Sequence, residues 1–386
     1  MKKLIALVLA LVMCFALCAC GQSAAPAATE APAAEPAADA AADTAAVEYP
    51  EMTLKLSHHN AVDQPIHEAL TKWATMINEQ SGGKITIDIY PAASLYNQTD
   101  AQDAVQMGTL DMCLADCSQL SSAVPAFALT AMPFLYDSYE TAGKVIFGEV
   151  GAQLDQQLKD TLNMHAFGWT WNNFRNMITK TPITSLDDCK GYKLRSPGTD
   201  LYLNTFNTLG MSPTVVPWNE AYTAMQSGLV DGVESGLEAF YTQGFYELGK
   251  YVCLSRHMIS VIGPVMNADK WNSLDEATQE LFTSTWKQCQ EELNETVIAN
   301  ESGYQTKLEE AGCTITQFDD QQALIDLFTP FWSESAEAGG YTDLLDQVLP
   351  SSTADPTELY NGHPNGCPLY PKQCVLYLTQ SILLRI

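Results

Sequence analysis

The 386-residue chain carries four arginines, Arg175, Arg195, Arg256 and Arg385, in a sequence whose formal net charge is −27. Where guanidinium groups are this scarce, the setting of each one is informative. Arg195 lies in Cys189–Gly198, CKGYKLRSPG, after a strand read over Tyr192–Leu194 and just before Pro197, which stiffens the chain. A side chain there stands at the C-terminal edge of a core strand, the edge at which α/β sheets bind ligands. Its planar donor fork matches a carboxylate better than a point charge does. From these residues alone two readings stand open: Arg195 receives the carboxylate of a ligand, or it closes an ion pair with a local acid such as Asp187 or Asp188.

Other reactive side chains point to no catalysis. His58, His59 and His67 are spaced as in no closed metal site. Of the eleven cysteines, those from Cys113 onward are scattered among apolar neighbours without metal-site spacing and read as buried thiols. The chain contains no H-E-x-x-H, no P-loop, no G-x-S-x-G elbow and no G-x-G-x-x-G after a strand. Glu309 and Glu310 read as part of a solvated helix face. The acidic balance repels nucleic acid, and no basic cluster offers a grip on anionic lipid.

The elements around these residues follow from apolar spacing. Residues 1–20, MKKLIALVLALVMCFALCAC, form a secretory signal whose end resembles a bacterial lipobox, with Cys20 as the lipid-bearing residue; the alternative is an ordinary signal with incidental cysteines. Residues 21–50, rich in Ala, Pro and acids, cannot bury enough surface to order and read as a tether. From Met52, MTLKLSH, a helix with Ile66, Leu70, Trp73, Met76 and Ile77 on one side, and KITIDIYP make a β-α-β opening, which predicts a mainly parallel sheet. A short repeat, AVQMGTLDM at Ala104–Met112 and AMQSGLVDG at Ala224–Gly232, predicts twice a helix end, a terminating Gly and a buried strand carrying Asp111 or Asp231. Residues 347–386 change character, rich in Pro and Cys, and read as an atypical tail, out of frame or poorly ordered, with an accessory segment as the alternative.

Eight segments in order carry a resemblance, among them LSHHNAVDQPIHEAL, VPAFALTAMPFLYDS, LDDCKGYKLRSPG and LGMSPTVVPWNEAYTAMQSGLVDGVES. From about Met52 to about Gln347 the chain resembles the substrate-binding proteins of TRAP transporters, DctP type. The resemblance implies a two-lobed α/β periplasmic-binding-protein fold, a Venus flytrap with a long bracing helix, for which SLDEATQELF…KLEEAG is the candidate. It implies lobe I over 51–171 plus 260–300 and lobe II over 172–259 plus 301–346. It makes Arg195 the partner of a substrate carboxylate and Arg175 a second arginine of the site, with Asn173 where the family usually has Gly. Ser235 stands at a family asparagine that contacts ligand, and Trp169, Trp171, Trp218 and Tyr222 border the pocket. Histidine at His58 packs and hydrogen-bonds near the cleft. The implied function is extracytoplasmic capture of a small organic acid, such as a dicarboxylate, and its delivery to the small and large TRAP membrane subunits. The implied protein is a lipid-anchored binder with no enzymatic activity, cofactor, metal or nucleic-acid partner. A surface enzyme or sensor on the same scaffold, and a receptor for an uncharged or zwitterionic solute, are the competing functions.

Overall fold

Alternating apolar residues put Met52–Ser57 (β1) and Ile85–Tyr90 (β2) side by side in parallel, from Met52↔Ile85 to Ser57↔Tyr90. The helix Pro65–Gln80 joins them, burying Ile66, Leu70, Trp73 and Ile77 on one stripe. It stops where Gly82 and Gly83 take φ of 66° and 81°, a left-handed turn that side chains disfavour. These elements belong to a computed structural model that describes residues 47–349. The signal and lipobox with Cys20, most of the 21–50 tether and nearly all of the 347–386 tail lie outside the described residues.

Eight further strands complete the sheet: β3 (Met112–Asp116), β4 (Met164–Ala166), β5 (Thr170–Thr179), β6 (Lys193–Ser196), β7 (Ser212–Val215), β8 (Gly232–Ser235), β9 (Tyr251–Asn267) and β10 (Thr314–Thr316). The strand order is β2-β1-β3-β9-β5-β8-β6-β7, with β4 and β10 also on β9. The expected mainly parallel sheet is corrected to a mixed one. Parallel ladders at each end, β2-β1-β3 and β8-β6-β7, are joined through antiparallel pairs of β3, β4 and β5 with β9 and of β5 with β8. Apolar periodicity marks a strand but carries nothing about the direction of its partner. The 17-residue β9 is long enough to serve both ends.

The repeat marks equivalent places in the two parallel ladders. The helices Gln98–Gln106 and Ala221–Gln226 each run into a left-handed glycine, Gly108 at φ 72° and Gly228 at φ 77°, and then into β3 and β8. Asp111 and Asp231 fall one residue before these strands rather than on them. Asp111 accepts from the Lys55 N–H at 2.9 Å, a structural contact.

The long helix Glu276–Glu310 spans 35 residues, capped by the Asp275 side chain on the Thr278 N–H. Its first half buries Phe282, Trp286 and Leu293 in the core behind β1 and β2. There Trp73 Nε1 donates to Phe282 O and Thr285 Oγ1, both at 3.1 Å. Its far end buries Leu308 in a separate core with Ile178, Met225 and Val233. One helix thus braces both ends of the sheet, as expected. Beyond it, the helix Gln321–Gly339 returns the chain to Pro133, whose carbonyl accepts from Trp332 Nε1 at 2.7 Å.

Candidate functional site

Strand order decides which charges meet. β8 lies between β5 and β6, so the acid it carries, Glu234, sits between an arginine from each neighbour: Arg175 on β5 and Arg195 on β6. All three side chains are buried, with exposures of 0% for Glu234, 3% for Arg195 and 5% for Arg175. Buried charges persist only when paired. Arg175 takes Glu234 with a two-point grip, Nε to Oε2 at 2.5 Å and Nη2 to Oε1 at 2.8 Å, and its Nη2 also donates to the Glu234 carbonyl at 3.3 Å. Arg195 is held loosely, Nη1 to Oε1 at 3.4 Å, while its Nε donates to Val216 O at 2.9 Å. Its described hydrogen bonds leave Nη2 without a protein partner, as those of Arg175 leave Nη1. The acid of the structural pairing is therefore Glu234 rather than Asp187 or Asp188. Asp187 pairs with Lys190, and Asp188 caps the short helix at Ser185.

The two arginines differ electrostatically. Burial depresses Arg175, but the Glu234 charge, Tyr202, the hydrogen bond to Glu234 and Asp116 together outweigh it and hold the guanidinium above its ordinary value. Burial lowers Arg195 to about 10; Glu234 opposes this only in part, and the Arg175 charge adds to the depression. Burial raises Glu234, yet Arg175 foremost, then His257 and Arg195, bring it below the usual carboxylate range. His257, 3.7 Å from Glu234, is lowered by burial and is neutral at neutral pH. Arg195 is the less compensated of the two cations.

Arg175 and Arg195 face a cleft holding about 460 Å³ of empty space, part of it open to solvent. It sits at the C-terminal ends of parallel strands, where such sheets bind ligands. His59 and Asn60 follow β1; Asp116 and Ser118 stand at the end of β3; Pro197, Ser235 and Tyr202 come from beyond or at the ends of β6 and β8. Asn172 and Asn173 enter from β5 at a register shift between Trp171 and Asn173. Trp218 lies over Arg195, ring centroid 5.2 Å from Cζ, and Tyr202 over Arg175 at 5.1 Å. Asp116 Oδ1 accepts from Ser118 N at 2.9 Å and Ser118 Oγ at 2.5 Å, while burial raises its carboxyl. Among the described residues, no cluster of His, Cys, Asp or Glu is arranged to hold a metal ion.

Of the residues expected at the site, Arg195, Arg175, Ser235 and Trp218 line this cleft; Trp169, His58 and Tyr222 do not. Trp169 is buried edge-on to Phe127 and donates to Asp155 Oδ1 at 2.6 Å. His58 is buried with Nε2 at 3.0 Å from His67 Nδ1, and its neighbour His59 takes the cleft position. Tyr222 packs on Phe245 and points its hydroxyl at Glu247, 3.3 Å away. Sequence reasoning passed over Glu234, Asp116, Asn60, Asn172 and Tyr202. For Glu234 a signal was present: a glutamate among Gly232, Val233 and Ser235 on a short core strand has no route to water and demands a cation.

Gly236 makes room for the amide of Asn173. A Cβ built on it would lie 2.4 Å from Asn173 Cγ and 2.5 Å from Asn173 Cβ. Gly236→Ala therefore drives Asn173 into the cleft, and the expected loss in ligand binding is about 1–3 kcal/mol. Calorimetry on the folded variant checks this; unchanged affinity would mean that Asn173 moves elsewhere.

Beside the cleft, Glu238 lines a smaller cavity with Gln64, Trp171, Asn172, Leu293 and Val297. Its Oε1 has no hydrogen-bond partner. Burial, then the charge of Asp63, raises its carboxyl to about 7, with Glu68 adding and Gln64 and Lys307 opposing. An acid raised in the fold costs stability once ionised, so stability falls as pH rises from the ordinary carboxylate range toward 7. Glu238→Gln is expected to raise the melting temperature at pH 8, by on the order of 1–3 kcal/mol of stability for one orphaned polar atom. It should also flatten that part of the pH profile; an unchanged profile would mean that water reaches the carboxylate.

Comparison with known proteins places this geometry. Residues 56–338 match the bacterial extracellular solute-binding protein family 7, DctP. A solute-binding protein of Roseobacter denitrificans is 31% identical over 272 residues, 70% of this chain and 82% of its own. The C4-dicarboxylate-binding protein DctB of Bacillus subtilis is 29% identical over 244 residues, 62% of this chain and 69% of its own. Among solved structures, a TRAP periplasmic solute-binding protein from Roseobacter denitrificans with bound L-galactonate superposes with a TM-score of 0.72 at 27% identity, covering 78% of this chain and all of that one. Another, from a Sulfitobacter species with bound α-D-taluronate, gives a TM-score of 0.73 at 25% identity over 77% of this chain and 97% of its own.

Proposed function

The chain belongs to family 7 of the bacterial extracellular solute-binding proteins, the substrate-binding proteins of TRAP transporters, with their two-lobed α/β fold. From that premise we propose that it captures a small organic acid outside the cytoplasm, with Arg195 as the seat of the carboxylate, and hands it to a small and a large TRAP membrane subunit. The observation that carries this reading is the uneven treatment of two buried arginines: Arg175 grips Glu234 at two points through Nε and Nη2, while Arg195 meets it at a single 3.4 Å contact and has no described partner for Nη2 at the cleft. Relatives that bind C4-dicarboxylates, galactonate and taluronate support it. Residues 51–171 with 260–300 act as one lobe and 172–259 with 301–346 as the other, β5 and β9 being the strands that cross between them. Closure brings Asn60 and Asp116 toward Arg195 and Ser235 around the acid. The protein acts as a binder and not as an enzyme, as its membership of a family of solute-binding proteins supports.

A thermal-shift and calorimetry screen of the folded body against carboxylic acids tests the proposal. A true ligand at a hundredfold over its dissociation constant adds about 2.7 kcal/mol of stability. If no acid stabilises the protein while neutral sugars or zwitterions do, the carboxylate reading is wrong. Membrane attachment through lipid at Cys20 is a separable part of the proposal. Cys20→Ser is expected to release the protein into the soluble fraction with unchanged ligand affinity; retention on membranes would require another anchor.

A further inference from the structure

We infer that Glu238, outside the ligand cleft, couples closing of the two lobes to the uptake of one proton, so that ligand is held more tightly in mildly acid than in alkaline surroundings. The inference rests on the two-lobe reading above and adds to it a residue that does not line the cleft.

Glu238 sits where segments of both lobes meet. It stands on the helix Leu237–Thr242 directly after β8, and its side chain borders a cavity with about 190 Å³ of empty space. Gln64, Pro65 and Ile66, at the start of the helix after β1, close that cavity from lobe I together with Leu293 and Val297 of the brace. Glu238 is the ionisable group among the lining residues. Its Oε1 has no hydrogen-bond partner, and neither has Thr242 Oγ1 one turn along the same helix. Among the described residues Glu238 forms no ion pair. A buried carboxylate without a cation favours its neutral form.

The charges that face Glu238 are divided between the lobes. Asp63 and Glu68, the acids that act on it, flank the start of the first helix and belong to lobe I. Lys307 and Tyr304 of the brace belong to the lobe of Glu238 itself, and the exposed Lys307 ammonium lies 4.3 Å from the Tyr304 ring centroid and 5.5 Å from that of Tyr241. Arg175, the charged residue of β5, grips Glu234, and Glu247 of the following turn accepts from Tyr222. Closing therefore brings two acids and an apolar wall to this carboxylate and no cation with them. Opening takes the acids away, admits water and leaves Lys307 in place. In the arrangement described, burial and then Asp63 raise the carboxyl to about 7, whereas in water it returns toward the ordinary 4.5. The closed form then binds more protons than the open one between these values. Closing is unopposed below 4.5, is penalised increasingly as pH rises, and bears the full penalty above about 7. A ligand that selects the closed form inherits this slope in its affinity.

The test uses the folded protein and three probes taken from what relatives bind: L-galactonate, α-D-taluronate and the C4-dicarboxylate succinate. Calorimetry of the tightest of the three, in buffers of different ionisation enthalpy near pH 6, counts protons taken up, and scattering records compaction. The wild type is expected to take up more protons than Glu238→Gln, and to lose about tenfold in affinity between about pH 5.5 and about pH 8, a loss that Glu238→Gln abolishes. Asp116 in the cleft, also raised by burial, contributes equally to both proteins, so their difference is the readout. Asp63→Asn should move the midpoint of the wild-type profile to lower pH. A probe that binds with compaction but with equal proton uptake in wild type and Glu238→Gln overturns the inference and leaves the carboxylate reading standing. Binding without compaction overturns the two-lobe reading and this inference with it. If none of the three binds, scattering on the ligand-free protein decides: Glu238→Gln should be more compact than the wild type at about pH 8, and equal radii overturn the inference. If Glu238→Gln does not fold, Asp63→Asn takes its place, and an unmoved midpoint, or an unchanged ligand-free radius where no probe binds, overturns it.

Discussion

Arg195→Ala is expected to lose about 2–5 kcal/mol of acid binding, the cost of leaving a buried carboxylate unpaired, while the ligand-free protein melts at or above the wild-type temperature. The second half of this expectation comes from the structure. Burial and the neighbouring Arg175 hold Arg195 down to about 10, so its charged form is disfavoured by the fold at neutral pH. A base lowered in this way costs stability below that value, and the cost is relieved as pH rises through it. Removing the side chain removes the cost, and Glu234 retains its two-point contact with Arg175. Arg195→Lys should recover only part of the binding, because an ammonium cannot present the planar fork. Calorimetry and melting curves on both variants decide the matter. A lowered melting temperature with wild-type affinity would make Arg195 a structural residue.

Arg175→Ala has the opposite signature. It leaves Glu234, fully buried, with only the 3.4 Å contact to Arg195 and a neutral His257 at 3.7 Å. Breaking one side of a buried pair costs about 3–5 kcal/mol, and a matching drop in denaturant midpoint is expected. Acid should reveal the cause. In the wild type Glu234 is held below its ordinary value, so the stability it contributes is present above the unfolded value of 4.5 and is lost as pH falls through the folded one. In Arg175→Ala that acid-side loss should vanish, because the carboxylate is no longer favoured by the fold. The double variant Arg175→Ala/Glu234→Gln should regain part of the stability. If it is no more stable than Arg175→Ala alone, the damage lies in the packing of Arg175 against Tyr202 and not in the orphaned charge.

Together the two variants separate residues that look alike in sequence. Both are arginines of an acidic chain, each on a core strand, yet one is expected to carry stability and the other ligand binding. The difference arises from a single shared acid and from which guanidinium reaches it with two donors.

Local chemistry determined much of this in the sequence itself. The 35-residue brace is legible because a long helical pattern and the absence of proline act within a few neighbours. The β-α-β opening and the paired glycines at Gly108 and Gly228 are legible for the same reason, since helix ends and left-handed turns are made by the residues that occupy them. Arg195 at a strand end before Pro197 was legible as a candidate carboxylate seat. What remained hidden depends on partners far apart in the chain. The direction in which β5 and β9 run against their neighbours decides that Glu234 of β8 lies between Arg175 and Arg195, and no local pattern encodes it. Trp169 reads like a pocket aromatic, but the packing of Phe127 and the carboxylate of Asp155 claim it for the core. His58 and His59 are adjacent and identical in type, and only the position of His67 turns one inward and leaves the other to the cleft. Hydrogen bonds and ion pairs between distant strands are chosen by the assembled sheet, because each side chain sees its partners only once burial has removed the competing water.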